Sequence, residues 1–139
     1  MLVSAIVNYA DSDKDYGSAL QLDGNDSLQM KVVKEGFGFE EGMTIDLWVM
    51  PESLNNAGIL FENSEVSLEI DDAGTLAASS GDVDVQYNIS AATDTVWEDG
   101  WNHVAFAADS TQIRLLINGI NVGHGSGSTN LVLDKFNTI

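Results

Sequence analysis

An acidic segment near the start of the chain has the residue spacing best suited to metal binding. Asp11, Asp13 and Asp15 stand at alternate positions, so several carboxylate oxygens can point at one hard cation such as Ca²⁺. Asp23 could supply a later ligand. The segment lacks the glycine and the closing glutamate of an EF-hand loop. The alternatives are therefore a calcium site at these four aspartates and a solvated acidic loop.

The sequence contains only part of the carboxylate pattern that glycoside hydrolases of some β-folds use. Such hydrolysis uses two acids that flank the scissile bond, and alternate positions of a strand place two acids on one face. Glu69 and Asp71 have this spacing, but a Gly-containing turn follows where a third acid of the pattern would stand. His103 lies in an alternating strand and is expected to be structural, and His124 lies in a Gly-rich stretch with no partner in view. We therefore expect no catalytic residues and no enzymatic activity.

The tryptophans are the residues that could contact a sugar or a protein partner. Trp97 lies in a turn-like segment, where an exposed ring could stack on a sugar, contact a partner or simply pack on the domain edge. Trp48 and Trp101 lie in predicted strands and are expected to pack in the core or on a sheet face. Trp97 is therefore the candidate ligand-binding residue.

The charge balance excludes several classes of partner. The chain has 22 acidic and 5 basic residues and a formal net charge of −17. Nucleic acids and anionic membranes are therefore unsuitable partners, because binding to their phosphates requires clustered Lys and Arg. The charge fits either solubility in a salty medium or carboxylate clusters that await a cation. Because the chain has no cysteine, disulfides and thiolate metal sites are excluded.

The elements that must position these residues are short β-strands. The chain has 139 residues, 44% of them apolar, which fits one domain with its own core. Ile45, Leu47 and Val49 occupy alternate positions of one run, the period of a strand with one buried face. The predicted strands span residues 2–9, 18–22, 28–33, 43–50, 59–63, 66–70, 75–78, 83–89, 101–107, 112–117 and 121–124.

Turn residues separate these strands. Asn118-Gly119 predicts a hairpin with a type I′ turn, and residues 72–74 predict a looser hairpin. Residues 123–128 are rich in Gly and Ser and predict a mobile surface loop. Short strands with no helices between them predict one all-β domain over residues 1–139, a two-sheet antiparallel sandwich. Residues 1–15 would form its N-terminal strand and acidic loop.

Four blocks of sequence follow one another in a fixed order. They are YGSALQLDG at residues 16–24, MTIDLWVMP at 43–51, DGWNHVAF at 99–106 and IRLLINGINVG at 113–123. Together they resemble the laminin G-like modules of the concanavalin A-like lectin/glucanase superfamily, over residues 16–139. The resemblance implies a jelly-roll sandwich of two curved sheets. It leaves the function open, because this fold occurs in lectins, adhesion modules, virion proteins and glycosidases.

The resemblance also implies an open sheet edge. Members of the family continue beyond a strand like residues 130–139 and close with one further strand, which this sequence lacks. An open edge invites pairing with another chain. The β-prone run at residues 1–9 could close its own sheet or add to that of a neighbouring subunit. The residues expected to make this assembly contact are Leu2, Val3, Ile6, Val7 and Tyr9.

These observations leave two functional hypotheses. The first is a non-catalytic structural or accessory subunit of a larger extracellular assembly, such as a virion decoration or attachment protein with other protein subunits as partners. The alternative is a lectin-like carbohydrate-binding module, with or without Ca²⁺ as a cofactor. No run is long enough to span a bilayer, and residues 1–9 lack the basic start of a signal peptide. We expect the protein at an extracellular or virion surface.

Overall fold

A computed structural model gives the fold at residues 2–7, 18–21, 27, 29–31, 37–38, 42–55, 58–133 and 136–138. All regular secondary structure at these positions is β-strand. The strands are β1 Leu2–Val7, β2 Ser18–Gln21, β3 Gln29–Lys31, β4 Phe37–Gly38, β5 Met43–Met50, β6 Gly58–Glu62, β7 Val66–Ile70, β8 Thr75–Ser80, β9 Val83–Asn88, β10 Asn102–Asp109, β11 Gln112–Ile117, β12 Ile120–Ser126, β13 Val132–Leu133 and β14 Phe136–Thr138.

Two six-stranded sheets form the sandwich. Sheet A has the strand order β12-β11-β10-β5-β1-β2, and sheet B has the order β3-β14-β6-β7-β8-β9. Strands β13 and β4 form a separate two-stranded ladder. The pairs in these ladders are antiparallel. The predicted all-β antiparallel sandwich is therefore confirmed. At the described positions, no helix is long and apolar enough to cross a membrane.

The hydrophobic core lies between the two sheets and is built mainly from alternate residues of the strands whose burial is described, such as β5, β7, β8 and β11. In sheet A, Leu47 and Val49 of β5 and Phe106 of β10 are buried. In sheet B, Val66 and Leu68 of β7 are buried in the same way. Each fully buried side chain of this size contributes about 1.5–3 kcal/mol to the free energy of folding. The period seen in the sequence therefore identifies the inner faces correctly.

The turn between β11 and β12 has the backbone that its sequence predicts. Asn118 has φ of 50° and Gly119 has φ of 81°, which is the left-handed pair of a type I′ turn. Asparagine tolerates this region better than other side chains, and glycine has no Cβ to oppose it. The predicted hairpin is therefore confirmed.

The Gly-rich stretch after this hairpin is strand and not the predicted loop. Strand β12 runs to Ser126, so residues 123–126 belong to it. A Cβ at Gly123 would lie 2.4 Å from Cγ1 of Val85, and one at Gly125 would lie 2.7 Å from Cγ1 of Val83. The glycines therefore allow β12 to approach β9 of the other sheet closely. The prediction was wrong because it took these glycines as a sign of loop conformation.

Strand β1 belongs to the interior of sheet A. It pairs with β5 on one side and with β2 on the other. Its backbone thus follows the first of the two alternatives raised from the sequence, the closure of its own sheet. Tyr9 lies outside the described residues. A role in assembly for Leu2, Val3, Ile6, Val7 and Tyr9 stays a prediction.

Candidate functional site

The side of sheet A that points away from sheet B, its outer face, carries the functional groups of interest. In β5, Thr44, Asp46 and Trp48 alternate with core residues and are exposed. The antiparallel register extends these positions into rows across the sheet. Trp48 lies opposite His103 of β10, and Asp46 lies opposite Ala105. Directly opposite residues on one face of an antiparallel pair are close enough to contact each other.

Three of these side chains form the Trp48 cluster, which consists of Trp48, His103 and Asp46. Nε2 of His103 lies 3.4 Å from Oδ1 of Asp46. The ring centroids of Trp48 and His103 are 5.2 Å apart, and their planes are tilted by 52°. Trp48 nevertheless keeps 44% of its surface exposed. The cluster therefore presents an indole ring beside one carboxylate and one imidazole.

Backbone hydrogen bonds hold His103 at the hairpin. The N–H of His103 donates to Oδ1 of Asn118 at 2.8 Å, and the N–H of Asn118 donates to the carbonyl of His103 at 2.8 Å. The Nδ2 of Asn118 donates to the carbonyl of Val96 at 2.8 Å and to Oδ1 of Asn102 at 2.9 Å. One hairpin side chain thus ties β10 to the preceding loop.

Asn102 anchors that loop from inside the sandwich. It is fully buried, and its Nδ2 donates to the carbonyls of Glu98 at 2.9 Å and Gly100 at 3.2 Å. Its Oδ1 accepts the N–H of Glu98 at 2.9 Å. Trp97 is half-buried here and packs against the core, whereas Trp101 is 37% exposed. Trp97 therefore follows the packing alternative raised from the sequence, and its role in ligand binding stays a prediction.

A groove lies at the other end of the outer face, where β5 begins, β10 ends and β11 begins. Its volume is about 430 Å³, and its lining includes Thr44, Ala107, Gln112 and Arg114. The register places Thr44, Ala107, Arg114 and His124 in one row across four strands. Arg114 is exposed at this row. We call this feature the Arg114 groove.

A chain of hydrogen bonds organises the floor of the Arg114 groove. Asp109 accepts from Nε2 of Gln112 at 2.6 Å, and from Oγ1 and the N–H of Thr111 at 2.8 and 2.9 Å. These donors, Gln112 foremost, lower the pKa of Asp109 to about 2. Oε1 of Gln112 lies 3.1 Å from Nε2 of His124. His124 therefore has a partner, contrary to the sequence-based expectation.

The acids predicted from spacing have other surroundings. Glu69 is exposed on β7. Oδ1 of Asp71 accepts the N–H groups of Ala73 at 2.9 Å and Thr75 at 2.8 Å, and so closes the turn after β7. The carboxylate of Asp71 is thus used in local structure, as is common for Asp in turns.

The four aspartates predicted to bind calcium lie outside the described residues. They are Asp11, Asp13, Asp15 and Asp23. Within the part of the chain that the structure describes, no three His, Cys, Asp or Glu side chains are grouped to hold a metal ion. A calcium site at these aspartates stays a prediction.

Comparison with known proteins identifies the family. A laminin G family model, described as concanavalin A-like lectin/glucanases superfamily, matches residues 22–139. The chain belongs to this superfamily. Among the solved structures, the mouse laminin alpha1 chain, domains LG4-5, is similar with a TM-score of 0.63 and 19% identity. The match covers 84% of this chain and 32% of that chain, so this chain spans about a third of the laminin structure. No curated protein matches.

The outward-facing residues Asp46, Trp48 and Arg114 were not predicted as site residues, although the alternation of the sequence indicates that they face away from the core. Asp46 and Trp48 stand in the opposite phase to Ile45 and Leu47, so the alternation already pointed them away from the core. Arg114 likewise alternates with buried neighbours. Pairing these residues across β10 was not predictable, because it depends on the strand order of sheet A.

Proposed function

We propose that the chain is a non-catalytic carbohydrate-binding module of an extracellular protein, with the outer face of sheet A as its binding surface. The observation that carries this proposal is the exposed indole of Trp48 beside Asp46 and His103. An aromatic ring offers a flat apolar surface to a sugar ring, and the neighbouring polar groups can bond its hydroxyls.

The geometry of the Trp48 cluster favours binding over catalysis. Hydrolysis of a glycosidic bond requires a second carboxylate close to the first. Asp46 has Trp48 and Thr44 as its outward neighbours on β5 and Ala105 opposite it on β10. An acid, an imidazole and an indole can hold a sugar through hydrogen bonds and apolar contact. Membership of a superfamily that includes lectins supports the same function.

The test is binding to a glycan panel by wild type and by Trp48→Ala. Wild type should bind at least one member, and binding should change the tryptophan fluorescence. A tryptophan at the centre of a binding surface typically contributes about 2 kcal/mol or more, so affinity should fall by about 30-fold or more. Ile59→Ala is the matched control, because Ile59 is 40% exposed but belongs to sheet B. Equal affinity of Trp48→Ala and wild type would contradict the proposal.

The second candidate function is that of a structural subunit of an extracellular assembly, such as a virion decoration protein. The exposed apolar side chains of Trp101 and Ile120, at 37% and 53%, favour it. Trp101 is two residues from His103 and Ile120 is two residues from Asn118, and these two partners are bonded to each other at the hairpin end of sheet A. Large exposed apolar groups at one end of a sheet favour a protein interface. Ile120→Asp should then abolish attachment to the assembly without changing glycan binding.

A further inference from the structure

We infer that the carbohydrate bound on the outer face of sheet A is acidic, and that its carboxylate is received by Arg114 in the groove. This inference rests on the proposed function. It adds the chemical class of the ligand and a second contact point, separate from Trp48. Arginine suits this task, because its planar guanidinium can bond both oxygens of a carboxylate.

Arg114 is an unusual group in so acidic a molecule. The chain has 5 Lys and Arg against 22 acids. Among the side chains that the structure describes, His103 and Asp46 form the one ion pair, and Arg114 has none. Arg114 is exposed, and the short side chain of Ala107 is its partner in the strand register. A cation that stays unpaired among so many carboxylates is available to a carboxylate of a ligand.

The acid among the described residues of the groove lining, Asp109, already accepts hydrogen bonds from its neighbours. Asp109 lines the groove, and its oxygens accept three hydrogen bonds from Gln112 and Thr111. Its charge remains, so removal of Arg114 would leave a groove that repels anions. Among the described residues that line the groove, Arg114 is the only cation and Asp109 is the only acid.

His124 stands beside Arg114 in the same row. Because Nε2 of Gln112 donates to Asp109, its Oε1 faces His124, and Nε2 of His124 must carry the hydrogen of the 3.1 Å contact. This contact joins His124 to Gln112, which lines the groove. His124 lies opposite Arg114 in the strand register. The row thus places an imidazole, and not another acid, beside the cation.

The distance between the two contact points sets the size of the ligand. The rows of Trp48 and Arg114 are four residues apart along β5 and β10, about 13 Å of strand. Arg114 lies two strands away from Trp48, about 10 Å across the sheet. One sugar ring cannot span this distance. The ligand is therefore an oligosaccharide, with one ring on Trp48 and a carboxylate-bearing ring at the Arg114 groove.

The test uses an immobilised panel in which each uronic-acid oligosaccharide stands beside its methyl ester, together with neutral and sulfated oligosaccharides. EDTA is present, so that contacts through a divalent cation do not contribute. Wild type should bind an acid about tenfold or more tightly than its ester, because a hydrogen bond to a charged group is worth about this much. Arg114→Gln should bind the ester more tightly than the acid, and Arg114→Lys should restore part of the preference for the acid.

The control is Gln86→Glu, which lowers the net charge by one as Arg114→Gln does, but on sheet B. It should leave the preference for the acid unchanged. Equal binding of acid and ester, a preference for sulfated members, or an unaffected Arg114→Gln variant would overturn the inference and leave the proposed function intact. Absence of binding to every member would overturn both.

Discussion

The outer faces of the two sheets occupy equivalent places in the fold and differ in chemistry. On sheet B, the register forms one row of Ile59, Glu69, Ala77 and Gln86, and the adjoining row of Ser67, Ser79 and Asp84 is small or acidic. These residues, except Ile59, surround a hollow of about 100 Å³. On sheet A, the corresponding rows hold the Trp48 cluster and the Arg114 groove, which has about 430 Å³.

This difference separates what the fold requires from what function requires. Both sheets need apolar residues on their inner faces, because those faces form one core. The outward positions are free of that requirement, and a solvated face needs only small and polar residues. An exposed tryptophan and an unpaired arginine are not needed for solubility. Their concentration on sheet A is the reason that we propose this face, and not that of sheet B, as the binding surface.

The largest expected effects lie where the two sheets are alike. Phe106→Ala in sheet A should lower the free energy of unfolding by about 3–5 kcal/mol, and Leu68→Ala in sheet B by about 2–5 kcal/mol, because both side chains are fully buried. Urea denaturation measures both. Ser79→Ala, on the outer face of sheet B, should stay within about 0.5 kcal/mol. If only one core variant were destabilised, the two sheets would not share one core.

An intermediate effect should distinguish the two buried polar anchors. Asn102 makes four hydrogen bonds beneath the loop of sheet A, through both ends of its amide. Ser80 of sheet B makes two, both with the backbone of Asn130, at 2.7 and 3.0 Å. Asn102→Ala should therefore cost about 2–3 kcal/mol, and Ser80→Ala about 1 kcal/mol. Thermal and urea unfolding would show the order, and the reverse order would refute this account.

The smallest effect concerns the pH dependence of Asp109. Its pKa in the folded protein is lowered to about 2, so its hydrogen bonds stabilise the fold fully above its ordinary pKa of 3.8. This contribution is lost as the pH falls from there through about 2. The melting temperature of wild type should therefore exceed that of Asp109→Asn at pH 6, and the gap should close toward pH 2. A difference in melting temperature that does not change with pH would show that the charge of Asp109 does not contribute to it.

Much of the fold was predictable, because apolar and polar residues alternate in the sequence of many of the strands. The run containing Leu47 and Val49, and the turn at Asn118, both agree with the structure. Strand β4 was missed, because two residues are too few to show a period. Strand β12 was predicted too short, because its glycines suggested a loop. Gly123 and Gly125 are instead explained by the close contact of β12 with β9, which the sequence does not reveal.

The candidate site was less predictable, because it depends on which strands become neighbours. Trp97 was selected for its turn-like sequence, yet the bonds of buried Asn102 draw its loop against the core. Local sequence does not report such an anchor. The row that joins Thr44 to Arg114 needs β5, β10 and β11 side by side, and the hairpins predicted from the sequence pair none of these three strands with each other.

The position of β14 in sheet B has a consequence for how the chain folds. Strand β14 lies between β3 and β6, and it is the link through which β3 joins the sheet. Strands β6 to β9 are joined by successive short connections and can form as soon as they are synthesised. Strand β3 must wait for a partner from the far end of the sequence. Contacts between such distant segments slow folding, because the loop entropy is lost before the contact forms. Sheet B is therefore expected to assemble in two kinetic stages, the hairpins first and β3 last.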